Sequence, residues 1–170
     1  MPRYPLAVPG EDRIDELVSQ WKAERPDLDL DVMAEVGRLL TVAELINRRL
    51  EAFASEHGLD RGQGDVLLTL RRAGKPYRLS PSRLTESLLV TSGTMTNRLD
   101  RLEAAALVQR VPNPDDRRGM NVQLTKAGVE LTEKLVGEHV ANEKQMLEPL
   151  TKGDREHLVR ITRKLLAHLS

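Results

Sequence analysis

Residues 110–128 read RVPNPDDRRGMNVQLTKAG, and the reading of this stretch decides the fold. Pro112, Pro114, Asp115, Asp116, Arg117, Arg118 and Gly119 separate two β-favouring runs, LVQRV (107–111) and MNVQL (120–124). Turn formers between such runs predict a hairpin, and Thr125 then begins a helix. NPDD is ordinary turn chemistry, because Asn, Pro and Asp set or tolerate turn dihedrals. That accounts for the acids but not for two adjacent arginines at an exposed tip. Paired cations there ask for an anionic partner.

Upstream, Ser80 and Pro81 form a cap and first-turn pair that opens a helix through about Leu88. A second helix starts at Thr91 or Ser92 and is expected to run to Ala106, with Met95, Leu99, Leu102 and Ala106 as a narrow apolar stripe. Two short helices separated by LLV and followed by a charged hairpin is the order of a winged helix-turn-helix. Beside the stripe lie Ser92, Thr94, Asn97, Arg98 and Arg101. Polar and cationic side chains near a helix N-terminus can bond base edges in a major groove and meet phosphates. Taken alone, the helix fits an ordinary amphipathic surface helix equally well. The hairpin tips the balance, since Arg117 and Arg118 could enter the neighbouring minor groove while Asp115 or Asp116 holds a guanidinium in place.

The rest of the chain is helical. Ile14, Leu17, Val18 and Trp21 mark an amphipathic helix from Glu11 to about Glu24, ended by Pro26. Asp31 is placed to cap a long helix from Val32 to about His57, stopped by Gly58. GQGDVLLTLRRAG (62–74) predicts a short buried helix, and helices from Thr125 to about Leu147 and from Gly153 to Leu169 complete the chain. The expected fold is mainly α with a small β wing. Residues 58–124 form the winged domain, and 1–57 and 125–170 supply dimerisation helices.

Composition narrows the function. The 170 residues carry no net charge, yet positions 71–118 hold ten basic and five acidic side chains, a local +5. The other positions, with 16 basic and 21 acidic side chains, carry a compensating −5. A basic middle can bind a polyanion while the whole stays neutral. The absence of cysteine excludes disulfides, thiolate nucleophiles and Cys-type zinc sites. No signal peptide or membrane span is predicted, so a cytoplasmic protein is expected. Four histidines (57, 139, 157, 168) are scattered, with no paired carboxylates and no phosphate-binding glycine loop. Neither an enzyme nor a metal or cofactor is expected.

The stretch PDDRRGMNVQLTKAG resembles the wing signature of the MarR family of transcriptional regulators, in which Asp-x-Arg precedes a strand ending in Leu-Thr and a helix-opening Gly. Asp116, Arg118, Leu124, Thr125 and Gly128 fill those positions. TSGTMTNRLDRLEAAALVQR is similar to the family's recognition helix running into the wing. The resemblance covers roughly Val32 to the C-terminus. It implies a homodimer with interleaved N- and C-terminal helices, two winged domains on a pseudo-palindromic double-stranded DNA operator, and repression as the usual outcome.

A narrower resemblance is to the urate-responsive branch of that family. There a Trp on an added N-terminal helix, an Asp and Arg seven residues apart, and an Arg on the recognition helix line an anion pocket. Trp21, Asp65, Arg72 and Arg98 match, implying release of DNA on binding a small organic anion. Two helical turns separate Asp65 from Arg72, about 10 Å that a long side chain tilted towards the helix N-terminus can cross. An arriving anion would take the Arg and repel the Asp. Arg98 lies at the border of its apolar stripe, free to face DNA or to swing inward. The alternatives are a plain buried Asp65–Arg72 salt bridge with a core tryptophan, a regulator without a urate-type pocket, or a helical adaptor that binds protein.

Overall fold

The structure, a computed structural model, describes residues 12–114 and 116–170, with the side chains of residues 116–118 outside that description. The elements in chain order are α1 (Arg13–Glu24), α2 (Asp31–Glu56), α3 (Arg61–Arg72), β1 (Arg78–Leu79), α4 (Pro81–Leu88), α5 (Ser92–Ala104), β2 (Val108–Asn113), β3 (Asp116–Leu124), α6 (Lys126–Met146) and α7 (Lys152–Leu169). The chain divides into two compact units, Met1–Leu50 and Glu51–Ser170, with the boundary inside α2.

In the first unit, the Asp12 carboxylate accepts from the Ile14 and Asp15 amides, and Asp15 returns a bond to the Asp12 amide. Arg38 of α2 donates to both carboxylates, 2.7 Å to Asp12, so α1 is clamped to α2 at its cap. Gly37 lets Ile14 lie close against α2. Only Val18 of α1 is buried; Leu17 is exposed and Trp21 is 50% exposed, so the tryptophan is no core residue of this chain. Asp31 does not cap α2. It is the first helical residue, its amide bonded to the Asp29 carboxylate, while its own carboxylate takes Lys22 at 2.8 Å. Asp29 already meets that amide, which frees Asp31 for the cation on α1.

The second unit is built around Val66, Leu67, Leu70, Leu84, Met95, Leu99, Leu102, Val108, Val122 and Leu124. The helix α3 starts where Asp60 and Gln63 cap one another's backbone amides, each bond 2.8 Å. Thr91 caps α5 through the Thr94 amide. That helix ends at Ala104, short of the expected Ala106, which is exposed and left-handed at φ 55. Turning there brings the Ala106 carbonyl to the Thr125 hydroxyl at 2.7 Å, an anchor the helix would otherwise forfeit.

The hairpin pairs Val108 with Leu124, Arg110 with Val122 and Pro112 with Met120, with a register shift between Pro112 and Asn113. A third strand was not expected: β1 pairs Arg78 with Gln123 and Leu79 with Val122, giving the order β1-β3-β2. Two residues are too few to show an alternating pattern.

The junction of β3 and α6 explains the wing signature physically. Leu124 is buried in the core, and the Thr125 hydroxyl accepts from the Gly128 amide at 3.1 Å to cap α6. Leu107 lies so close that a Cβ on Gly128 would fall on its carbonyl oxygen. Further along, α6 is tied to the end of α2 through His57. Its Nδ1 lies 2.9 Å from the Phe53 carbonyl and its Nε2 2.7 Å from the Glu138 carboxylate.

Candidate nucleic-acid interface

Capping by Thr91 places the first turn of α5 in solvent, with Ser92, Thr94 and Asn97 exposed. The opposite stripe of Met95, Leu99 and Leu102, each at most 3% exposed, anchors the helix in the core. The helix therefore presents a polar row from a rigid base, as reading base edges requires.

Two cations of α5 turn back towards α3. Arg101 lies 3.6 Å from the Asp60 carboxylate, both half-exposed, a contact worth little energy in solvent. The guanidinium of half-buried Arg98 lies across buried Gly62. Asp60, Gly93, Thr94, Asn97 and Arg98 together line a cleft of about 500 Å3. Among the described residues, no carboxylate forms an ion pair with Arg98.

The wing is braced to this helix by Arg110, which donates to Asp100 at 2.6 Å and to Glu103 at 2.7 Å. Hydrogen bonding to Asp100 raises the Arg110 pKa further above its already high ordinary value. Arg110 thus serves α5 rather than a phosphate, and the local charge excess overstates the cations free to meet DNA. The wing-tip residues Asp115, Asp116, Arg117 and Arg118 lie outside the described side chains.

Asp65 and Arg72 do not form the expected pair. The nearest cation to Asp65 is Arg61, one turn back at 3.9 Å, and Arg72 is exposed. The buried face of α3 is Val66, Leu67, Thr69 and Leu70. The polar face that carries Asp65 and Arg72 stays in water, so burial does not force the two charges together. Trp21 belongs to the first unit, and Asp65, Arg72 and Arg98 belong to the second.

Sequence reasoning missed three arrangements here. The capping role of Asp60 was legible in Asp60-x-x-Gln63. The brace was partly legible, since Asp100 and Glu103 share a helix face. Nothing in the sequence signals the contact of Gly62 with Arg98.

Three helices, the last two joined by a short turn, and a three-stranded wing make residues 61–124 a winged helix-turn-helix. The MarR family profile matches residues 57–119. The chain is 41% identical over 156 residues to the HTH-type transcriptional regulator PecS of Dickeya dadantii, covering 92% of this chain and 94% of that protein. Over 112 residues it is 35% identical to the multiple antibiotic resistance protein MarR of Escherichia coli, covering 64% of this chain and 76% of that one. A mutant of E. coli MarR complexed with operator DNA superposes with a TM-score of 0.67 at 30% identity, covering 81% of this chain and 97% of that one. The chain belongs to the MarR family: it is a DNA-binding transcriptional regulator, not an enzyme. Among the described residues, no helix is long and apolar enough to cross a membrane.

Proposed function

We propose that the protein is a homodimeric repressor that binds a palindromic operator and releases it on binding a small organic anion such as urate. The observation that carries the effector reading is Arg98, a half-buried cation with no carboxylate ion pair among the described residues, lying in a cleft on the helix that would read DNA. Asp60, the carboxylate of that cleft, already accepts the Gln63 amide and lies 3.6 Å from Arg101, so an arriving anion would meet a guanidinium that has, among the described residues, no ion pair to give up. Arg72, exposed on α3, would contribute a second cation, and Asp65 would set the selectivity. On DNA, Ser92, Thr94, Asn97, Arg98 and Arg101 would face the major groove. Arg117 and Arg118 would enter the minor groove, with Asp116 orienting an arginine.

Uncovered apolar faces support the dimer. Leu39, Leu40 and Leu45 of α2 and Ile161, Leu165, Leu166 and Leu169 of α7 are all exposed in the single chain. Apolar patches of this extent mark interaction surfaces. Residues 1–57 and 125–170 would then dimerise and 58–124 bind DNA, with half-sites about 10 base pairs apart.

The test is a urate titration that follows both Trp21 emission and operator binding. Trp21 is the only tryptophan, so the emission has a single source. Tenfold release requires about 1.4 kcal/mol of coupling, within the range for allosteric regulators. In Arg72→Ala, quenching and release should both shift to higher urate concentrations. An unchanged titration would place the effector elsewhere.

A further inference from the structure

We propose that Gly62 is a positioning residue for operator binding: it is the seat on which Arg98 parks away from DNA. This role rests on the reading that Arg98 is shared between operator and effector, and adds what sets its balance. A Cβ built at position 62 falls on Nε and Cζ of Arg98 and lies 2.6 Å from Nη2. The guanidinium can occupy its place only because residue 62 has no side chain. Gly64, on the same helix two residues later, would meet nothing within 4 Å, so bareness along α3 is not a general packing need.

The parked position has little else to hold it. Asp60, in the same cleft, already accepts the Gln63 amide at 2.8 Å and lies 3.6 Å from Arg101. Arg98 thus rests on van der Waals contact and the absence of a methyl group. One methyl would evict it, and the displaced atoms are the far end of a flexible side chain, so α3 and α5 need not move. From the same backbone position the guanidinium would then reach towards Thr94 and Asn97 on the cleft's solvent side, where DNA is expected.

The apparent affinity for a partner falls by the fraction of molecules in the competent state, so abolishing a parked state tightens binding by the inverse of that fraction. Gly62→Ala should bind operator roughly three- to tenfold tighter than parent at fixed salt, the gain expected if about a tenth to a third of molecules have Arg98 outward. It should also need more urate for release. Gly64→Ala adds the same methyl to the same helix and should match parent in both measurements. In an Arg98→Ala background, Gly62→Ala should change operator affinity no more than Gly64→Ala does, since the seat acts only through Arg98.

The experiment measures operator binding by anisotropy for parent, Gly62→Ala, Gly64→Ala and both glycine variants on Arg98→Ala, with a thermal melt of each. Equal or weaker operator binding by Gly62→Ala, in a protein that melts no lower than parent, overturns the proposal. So does tightening that persists without Arg98. If Gly62→Ala melts lower, operator binding is compared at a temperature where both proteins are fully folded, under the same criteria. Failure of parent to respond to urate would sink the effector reading while leaving the operator comparison intact.

Discussion

Replacing Gly128 with alanine sets two effects of opposite sign against each other. Alanine is the better helix former by at most about 1 kcal/mol, and less in the first turn of α6 where Gly128 lies. Against that, the new methyl would coincide with the Leu107 carbonyl oxygen, 3.1 Å from its carbon and 3.3 Å from Cδ2 of Leu124. None of these is a loose end. The Leu107 oxygen accepts the Thr125 amide at 3.1 Å, and Leu124 is buried in the core. The backbone must therefore shift where the end of α5 meets the start of α6. Overpacking of this kind costs about 1–3 kcal/mol, and weakening the Thr125–Leu107 bond adds about 0.5–1.5 kcal/mol. The net expectation is roughly 1–3 kcal/mol of destabilisation, or about 3–10 °C in Tm for a chain of this size. Far-UV circular dichroism melts at one protein concentration measure it, since dimerisation would couple stability to concentration. The control is Gly153→Ala on α7, whose methyl would meet only the Thr151 hydroxyl at 3.9 Å and should leave Tm unchanged or higher. Gly128→Ala melting at or above parent would refute the close-approach account of the wing signature.

The same residues show what a sequence can and cannot carry. Elements with strong local grammar were legible: Ser80–Pro81, Thr91 and Thr125 each cap the helix expected of them, because a hydroxyl meeting an amide three residues on is a local event. The hairpin was legible for a similar reason, as turn formers between two β runs. The end of α5 was not, because Ala105 and Ala106 favour continuing a helix. What stops it is a tertiary bond from Thr125, distant in sequence. The Asp65–Arg72 pair failed for a different reason: spacing fixes only which residues share a helix face, while burial decides whether two charges there need each other. Within the winged domain, that burial falls on Val66, Leu67 and Leu70 instead. The contact of Arg98 with Gly62 depends on how α3 and α5 cross, which no local pattern encodes.

Replacing wing-tip Arg118 with alanine should weaken operator binding about tenfold or more at fixed salt, because an arginine in a narrow minor groove contributes both charge and shape readout; unchanged affinity would remove the wing tip from the interface. Leu89, at φ 52 and 93% exposed, should be replaceable by glycine with a gain of up to about 1 kcal/mol, read as a higher Tm, because the left-handed conformation penalises a side chain. His57 links stability to pH. Both ring nitrogens face acceptors, the Phe53 carbonyl and the Glu138 carboxylate, so the form with two N–H groups satisfies both. The bond to Phe53 and then the Glu138 contact raise its pKa above the ordinary value of about 6.5, against burial and the nearby Lys134 charge. A pKa raised on folding contributes stability that is full below the unfolded value and is lost as pH climbs through the folded one. Parent should therefore lose urea resistance relative to His57→Gln, which has no such proton to release, as pH rises from the unfolded value of about 6.5 through the raised folded one. Parallel pH profiles for the two proteins would show that folding leaves the imidazole pKa at its unfolded value, and the preference for the doubly protonated ring would fall.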